Sequence, residues 1–474
     1  MGLLSSFTEK KSLDSTRRRL LEFFASIPVH CSAWSMPAWA LVACKGGNNG
    51  GTKTASNEQK EDAHGSVDIV VLADPHIYDT KLGVSGKAFA NYLVQDTKML
   101  VESGDIFGAL VELIINSQHH PDMIIIAGDL TKDGELSSHQ LFVTYLNQLR
   151  DAGITVLLVP GNHDIANPHA FAYPGESPKP VKNLGADDFR LLYFDYGYDD
   201  ALFWDPDSLS YIVEPHPGFW IFAIDSNRYR ENDAYPVHGG AISSYTEEWI
   251  VGHLQKAQQK GVQALAMLHH PILEHAVGKS QYSDDLLLHD WDRIGRRFSE
   301  SGLRVILSGH SHCHTITRRD WHNGNYLYEI QTGSLVSYPN PYRRIQIDRA
   351  VGRLGVSTQY ISQTNIEDKI KLDPYESFEK LALFRTEQGI RFNARKLVSG
   401  HLGYDLEPDD AIINNVVEAV MAFISGDPSP SARTFLRALK LANSANELES
   451  EVGMMILSLW SGQPPDDLNV NIYL

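Results

Sequence analysis

The chain has 474 residues, which is longer than one ordinary domain, so more than one folded unit is expected. Its hydrophobic fraction of 43% and charged fraction of 21% are typical of a folded protein and exclude a largely disordered one. A formal net charge of −18 argues against a nucleic-acid polymer as the main partner, because DNA binding depends on lysine and arginine to neutralise phosphates.

The pattern of residues 1–43 is typical of an export signal and not of a folded segment. A basic front is followed by the stretch 23–43, which lacks Asp, Glu, Lys and Arg. The arginines at 17–19 resemble a twin-arginine signal. The stretch 41–44 resembles a bacterial lipobox, in which Cys44 would become the lipidated first residue. We therefore expect residues 1–43 to be a signal peptide.

Two alternatives remain for this segment. One is an uncleaved membrane helix, which Pro28, His30 and Pro37 would interrupt. The other is a buried helix, for which no packing partner is evident downstream. The lipoprotein interpretation predicts an exported protein of a bacterial cell envelope, lipid-anchored to the outer face of a membrane. Residues 44–66, rich in glycine and polar residues, are then expected to be a flexible linker.

Five short apolar runs predict buried strands of a largely parallel sheet. They are residues 67–73, 123–127, 154–159, 262–268 and 304–308. Each run ends in Asp, Asn or His, and nearly every such end has Gly or Pro beside it to make a turn. Ligands of open α/β sheets bind beyond the carboxyl ends of the strands. Because five strands deliver the same three residue types, the joint pattern predicts a metal centre.

The remaining elements of residues 67–364 alternate between helical and strand patterns, which predicts an α/β domain. Predicted helices are 99–116, 138–150, 245–260 and 286–301, and further strands are 209–213, 219–224, 326–332, 343–347 and 356–361. The proline-rich stretch 165–198 is expected to form a wall of the site. From about residue 365 the pattern becomes helical, with candidate helices at 375–397, 409–424, 431–443 and 448–460. This predicts an all-α C-terminal domain of residues 365–474.

The polar strand ends resemble the motifs of the calcineurin-like metallophosphoesterases, in the order of that family. The matching motifs are Asp74-x-His76, Gly128-Asp129, Gly161-Asn162-His163-Asp164, His269-His270 and Gly309-His310-x-His312. The resemblance covers roughly residues 67–350 and implies a four-layer αββα sandwich as the catalytic domain. It also makes the C-terminal domain similar to the helical appendages of some bacterial lipoproteins of the family. Such an appendage would cap the cleft, bind a partner or stabilise the catalytic domain.

The resemblance assigns roles to individual residues. Asp74, His76 and His312 would hold one metal. Asn162, His269 and His310 would hold the second, and Asp129 would bridge the two. His163 would hydrogen-bond or protonate the substrate phosphate without binding metal. Asp164 would orient His163, and His270 would lie behind His269 as a supporting residue.

Several other residues admit two interpretations each. Cys313 stands between two histidines and is either a packed residue or a ligand. Cys31 falls in the signal and Cys44 would be acylated, so no structural disulfide is expected in the mature protein. Asp225 is either structural or a ligand. The loop at His238 either contacts substrate or only turns the chain. Arg343 is either an exposed strand residue or steers an anionic substrate.

The residue types suit phosphate ester hydrolysis. Two metals about 3.5–4 Å apart neutralise a phosphodiester, clamp its oxygens and acidify a water. Imidazole and carboxylate ligands together favour two divalent or trivalent transition metal ions, namely Fe, Mn or Zn.

The order of the motifs and the His269-His270-Pro271 form resemble the class III cyclic nucleotide phosphodiesterases. This implies hydrolysis of small phosphodiesters, with cyclic nucleotides among the candidates. The alternatives are a surface phosphatase or phosphoesterase for lipid-linked or cell-envelope phosphates, and a non-catalytic binding lipoprotein. The expected partners are a small phosphodiester and a membrane, reached through the lipid anchor; the oligomeric state stays open.

Overall fold

The computed structural model describes residues 65–275, 285–366, 369–427, 430–460 and 467–473. The predicted signal peptide and nearly all of the predicted linker lie outside the described residues. Within these ranges, no helix combines the length and the apolar character needed to cross a membrane.

Two β-sheets form the centre of the catalytic region. The first has six strands. From edge to edge they are β15 (Asn469–Tyr473), β14 (Arg353–Tyr360), β13 (Pro341–Asp348), β1 (Ser66–Leu72), β2 (Met123–Ala127) and β3 (Thr155–Val159). The strands β1, β2 and β3 are parallel, whereas β13, β14 and β15 pair antiparallel. Every residue of β2 is buried, as its unbroken apolar run predicts.

The second sheet has seven strands. In spatial order they are β11 (Thr315–Asp320), β12 (Tyr326–Gln331), β10 (Val305–Ser308), β9 (Gln263–Leu268), β8 (Phe219–Ile224), β7 (Tyr211–His216) and β6 (Ala201–Trp204). Its four central strands are parallel. A short pair, β4 (Phe171–Ala172) with β5 (Lys179–Pro180), lies inside the predicted wall at 165–198.

Helices cover the outer face of each sheet. They are α2 (Ser103–Ile115), α3 (Leu136–Asp151), α4 (Ala186–Leu192), α5 (Ser244–Lys260) and α6 (Trp291–Glu300), whereas α1 (Lys87–Gln95) packs its Phe89 in a separate small cluster with Tyr78, Leu100 and Tyr173. Alternate residues of β8 show the layering, because successive side chains of a strand point to opposite faces. Ile221 packs in the core shared with the first sheet, whereas Phe222 packs in the core beneath α5 and α6. The predicted four-layer αββα sandwich is confirmed.

In its described residues, the C-terminal region contains a short helix and four long ones. They are α7 (Gln363–Ile366), α8 (Phe378–Leu402), α9 (Ala411–Ser425), α10 (Ala432–Ala442) and α11 (Glu447–Leu459). The four predicted helices are present, and a polar side chain caps the N-terminus of each. One element departs from the all-α prediction. The last described segment forms β15, which pairs antiparallel with β14 and so extends the first catalytic sheet.

Candidate metal centre

All seven predicted ligands lie at the same end of the two sheets. In the first sheet, Asp74 and His76 follow β1, Asp129 follows β2, and Asn162 follows β3. In the second, His269 follows β9 and the pair at 310 and 312 follows β10. Parallel strands point their carboxyl ends in one direction, so chain direction gathers the ligands of each sheet, and the packing of the two sheets on each other brings the two groups together.

The backbone at the ligands adopts a conformation that side chains rarely tolerate. In the described ranges eight non-glycine residues have a positive φ, and five of these are predicted ligands. They are Asp74 (51°), His76 (38°), Asp129 (50°), His310 (72°) and His312 (55°). Such strain persists only where the surroundings enforce it, and it is commonest at functional sites.

Two glycines of the motifs make room for ligand carboxylates. A Cβ atom on Gly161 would lie 2.1 Å from Oδ1 of Asp129, and one on Gly309 would lie 2.5 Å from Oδ2 of Asp74. Both separations are shorter than a non-bonded contact allows. Glycine is therefore required at these positions because the backbone passes directly beside a ligand.

The first cluster consists of Asp74, His76 and His312, whose ligand atoms all lie within 4.8 Å of one another. Nε2 of His76 is 3.1 Å from Nε2 of His312. Nε2 of His312 is 3.5 Å from Oδ1 of Asp74. Two ring nitrogens and a carboxylate oxygen thus converge on one point, as the first predicted metal site requires.

The second cluster is built from Asn162, His269 and His310. Nδ1 of His269 donates to the carbonyl oxygen of Ala127 at 2.8 Å, so its Nε2 carries a lone pair. That Nε2 lies 3.0 Å from Oδ1 of Asn162 and 3.2 Å from Nδ1 of His310. Nε2 of His310 donates to the carbonyl oxygen of Asp285, which leaves its Nδ1 as an acceptor. Three acceptors therefore face one another, and a cation satisfies all three.

Asp129 lies between the two clusters. Its Oδ2 is 3.6 Å from Nε2 of His76 and 3.4 Å from Nε2 of His269. One oxygen thus reaches both groups, in agreement with the predicted bridging role. Burial, the largest single influence, lowers the pKa of His269, but the charge and hydrogen bond of Asp129 together with the charge of Asp74 and the bond to Ala127 outweigh it and raise that pKa to about 9. A proton on His269 therefore competes with a metal for this position.

The donor set fits transition metals. It combines imidazole nitrogens, carboxylate oxygens and one amide oxygen, the mixture that suits Fe, Mn or Zn better than Mg or Ca. Nδ2 of Asn162 donates to Nδ1 of His238 at 3.3 Å, and this bond turns Oδ1 toward the second cluster.

His163 is held by Asp133, a residue that the motifs do not single out. Nδ1 of His163 lies 2.8 Å from Oδ1 of Asp133, and its Nε2 lies 3.9 Å from Oδ2 of Asp129. Burial lowers the pKa of His163, but Asp129 and Asp133 outweigh burial and raise it above its ordinary value. His163 therefore lies beside the clusters with its ring held by Asp133, and its role toward the substrate phosphate stays a prediction.

The predicted role of Asp164 is wrong. Its Oδ1 accepts from the backbone amide and hydroxyl of Thr131, and its Oδ2 accepts from the amides of Leu130 and Gly161. Burial and the charge of Asp129 raise its pKa to about 7. Consecutive side chains of this turn point in different directions. Asp164 therefore links the loop that follows β2 to the loop that follows β3, whereas His163 is held by Asp133.

A buried cation stabilises Asp133. Nζ of Lys132 pairs with Asp133 and lies 3.3 Å from Oε1 of Glu135. It also lies 4.4 Å from the ring centroid of Tyr92. Burial raises the pKa of Asp133, but Lys132 and His163 outweigh it and hold that pKa well below its usual range. In the sequence, the charged residues Lys132, Asp133 and Glu135 shortly after Gly128-Asp129 are the signal for this network.

Two histidines near the second cluster act as supports. Nδ1 of His270 is 2.8 Å from Oγ of Ser226, and its Nε2 donates to the carbonyl oxygen of His238 at 2.8 Å. A ring nitrogen of His270 lies within 4.8 Å of ligand atoms of His269 and His310, but both of its ring nitrogens are engaged, which agrees with the supporting role predicted for it. The ring of His238 lies 6.0 Å from that of His163 between centroids, so its loop borders the site and does more than turn the chain.

Three of the ambiguous residues lie outside the ligand set. Asp225 accepts from the backbone amides of Leu209 and Asn227 and is structural. Cys313 is buried in the apolar cluster of the C-terminal helices. Arg343 is fully buried and donates to the carbonyl oxygens of Thr315, Gln331 and Asp467. Both interpretations of Arg343 are therefore wrong, since it is neither an exposed strand residue nor available to a substrate.

The fold and the two ligand clusters define a metal-dependent phosphoesterase. A family model described as calcineurin-like phosphoesterase matches residues 67–314, just over half of the chain. The chain belongs to the calcineurin-like phosphoesterases, a family that binds two metal ions. No curated protein matches the chain significantly.

Solved structures with a distant likeness include two enzymes. A dimetal phosphatase from Danio rerio is 14% identical with a TM-score of 0.43, over 62% of this chain and 95% of that one. A 5′-nucleotidase precursor from Thermus thermophilus is 13% identical with a TM-score of 0.37, over 69% of this chain and 59% of that one. Likenesses at this level carry no argument about substrate, and the family assignment rests on the family model.

Proposed function

We propose that the protein is a phosphodiesterase that hydrolyses small phosphodiesters, with cyclic nucleotides among the candidate substrates. The observation that carries this proposal is that Lys98 and Lys132 are both engaged in ion pairs with carboxylates. Lys98 acts on His76 through its charge, yet its Nζ lies 3.2 Å from Asp96. Lys132 is paired with Asp133 and Glu135. Both cations are already neutralised, which supports a diester monoanion over a monoester dianion that needs additional positive charge.

The chain's own groups have separable tasks in this reaction. Bound metals, when present, neutralise the phosphate and lower the pKa of a coordinated water. Asp133 keeps the ring of His163 in one orientation through Nδ1. Nε2 of His163 then faces the region beside Asp129, where a protonated ring donates to a phosphate oxygen or to the departing alkoxide. His238 keeps the amide of Asn162 turned toward the second cluster.

The test compares a diester with a monoester on the same protein. Metal-depleted protein is reloaded with Mn, Fe or Zn in turn, and kcat/KM is measured for bis(p-nitrophenyl) phosphate and for p-nitrophenyl phosphate. The proposal predicts a higher value for the diester, after which cyclic nucleotides are tested. A higher value for the monoester would contradict it and favour the surface phosphatase.

A substitution tests the charge argument itself. Asp96→Asn removes the ion-pair partner of Lys98, whose charge acts on His76, so monoester turnover should rise relative to diester turnover. The matched control is Asp195→Asn, which removes one of the two carboxylate partners of a surface arginine, Arg150. If the ratio of monoester turnover to diester turnover is the same in Asp96→Asn and Asp195→Asn, the lysines no longer support the diester proposal.

We also infer that the protein is exported and lipid-anchored in a bacterial cell envelope. The support is the pattern of residues 1–44, which lie outside the described residues. Cys44→Ala should move the protein from the membrane fraction to the soluble fraction, whereas Cys31→Ala in the same segment should not. Retention of Cys44→Ala in the membrane fraction would favour the uncleaved membrane helix.

A further inference from the structure

The loop that carries His310 and His312 contacts the C-terminal helices. Its Cys313 is buried in the apolar cluster formed by α8, α9, α10 and α11. Gly426, which ends α9, lies so close to the loop that a Cβ atom there would be 2.6 Å from the carbonyl oxygen of His314. The helical region is therefore packed directly against a metal-binding segment of the catalytic domain.

A defined set of contacts leads from α9 to the ligands. The ring of Phe423 stacks on His275, with centroids 5.8 Å apart and an angle of 13° between the planes. Nε2 of His275 lies 3.2 Å from Oγ of Ser311, the residue between the two ligands. The same hydroxyl accepts from Nε2 of Gln331 at 2.7 Å. Ser311 is thus held by Gln331 of β12 and by His275, which in turn stacks against Phe423 of α9.

The ligand loop needs such support because of its backbone. His310 and His312 both have a positive φ, and Ser311 lies between them. Alternating strained residues relax toward ordinary conformations when their surroundings allow it. A shift of the loop would move two ligand nitrogens that belong to different clusters, so both metal sites depend on the same short segment.

We propose that α9, through Phe423, holds the ligand loop in its metal-binding conformation. Phe423, His275 and Ser311 are positioning residues that act through His310 and His312. The C-terminal region then contributes to metal binding by positioning the ligand loop. This inference rests on the two ligand clusters and is independent of whether the substrate is a diester or a monoester.

The test measures metal affinity separately from folding. Apparent affinity for Zn or Mn is obtained by competition with a chromogenic chelator on the full chain, and the Tm of the metal-free protein is recorded alongside. Supporting partners of metal ligands are typically worth about 10–100-fold in affinity, so Phe423→Ala should weaken binding by about that factor. Phe423→Tyr keeps the stacked ring and should restore affinity.

Two further variants separate positioning from stability. Ile456→Ala removes a buried side chain from the same apolar cluster on α11, and should lower Tm while metal affinity changes less than about twofold. Ser311→Ala lies outside that cluster and should lower affinity with little change in Tm. Unchanged affinity in Phe423→Ala would overturn the proposal. An equal loss of affinity in Ile456→Ala would also overturn it, because general destabilisation would then explain the result.

Discussion

Nδ1 of His163 lies 2.8 Å from Oδ1 of Asp133, so the histidine beside the metal ligands is oriented from the loop after β2. The same loop begins with the bridging residue Asp129, whose Oδ1 accepts from the backbone amide of His163 at 3.0 Å. One short segment therefore positions both Asp129, the predicted bridge, and the side chain of His163, the predicted proton donor. This arrangement allows catalysis and metal binding to be separated by substitution.

The first prediction concerns His163 and Asp133. His163→Ala should retain the full metal content and slow turnover by roughly 10²–10⁴-fold, the usual contribution of a positioned acid or base. Asp133→Asn should slow turnover by a smaller factor, because the ring remains but loses its carboxylate partner. Metal content by elemental analysis and kcat on the diester check both statements.

The control for this pair is His169→Ala, which removes a histidine from the loop that follows His163. Its turnover should match that of the unmodified protein. Normal turnover in His163→Ala would show that another group donates the proton.

The second prediction concerns the bridge. Because Oδ2 of Asp129 reaches ligands of both clusters, Asp129→Ala should abolish metal binding and activity together. Elemental analysis of the purified variant should find neither metal. Retention of a metal at full occupancy would mean that one cluster is complete without Asp129, and the bridging assignment would fail.

The third prediction concerns Asp164. Its two oxygens accept from three backbone amides and one hydroxyl, so an amide group at this position would place an N–H against other donors. Asp164→Asn should lower the free energy of unfolding by about 1–3 kcal/mol, the cost of leaving buried polar groups unsatisfied. Urea denaturation measures this, and an unchanged midpoint would contradict the assigned role.

The fourth prediction concerns His139. Its Nδ1 contacts the hydroxyl of Tyr193 and its Nε2 contacts the carbonyl oxygen of Asp164. Burial lowers its pKa to about 4. The unfolded value is about 6.5, so the unfolded chain binds the proton first, and stability is lost as the pH falls from about 6.5 toward 4.

This pH effect should amount to about 3 kcal/mol at most, because each unit of pKa difference corresponds to about 1.4 kcal/mol. Urea denaturation of the metal-free protein across that pH range measures it, since metal loss then plays no part. His139→Gln should flatten the dependence. An equally steep dependence in that variant would assign it to other groups.

Much of the site was predictable because chain direction and strand ends determine it. An apolar run that stops at Gly-Asp or Pro-Gly-Asn marks the carboxyl end of a buried strand, and parallel strands bring those ends together. The bounds of β2 and β8 were predicted to the residue. The role that the family resemblance gave to Asp164 was wrong, because the turn directs the neighbouring side chains of His163 and Asp164 to different partners.

Other features depended on contacts between distant parts of the chain. The strand β15 has only Val470 and Ile472 as aliphatic residues, which is a weak strand signal. It pairs with β14 because the preceding helices bring the chain back to the edge of the first sheet. Arg343 is buried because carbonyl oxygens of three separate segments surround its guanidinium. Local patterning contains no signal for such long-range acceptors, so neither interpretation of Arg343 from the sequence included its burial.

The most direct measurement is diester hydrolysis as a function of metal content. Metal-depleted protein is titrated with Mn, Fe or Zn, and bound metal and turnover of bis(p-nitrophenyl) phosphate are recorded together. We predict that turnover appears as binding approaches two metals per chain and stays absent in Asp129→Ala. Turnover in the metal-free protein, or none with two metals bound, would contradict the assignment of this site as a dimetal phosphodiesterase.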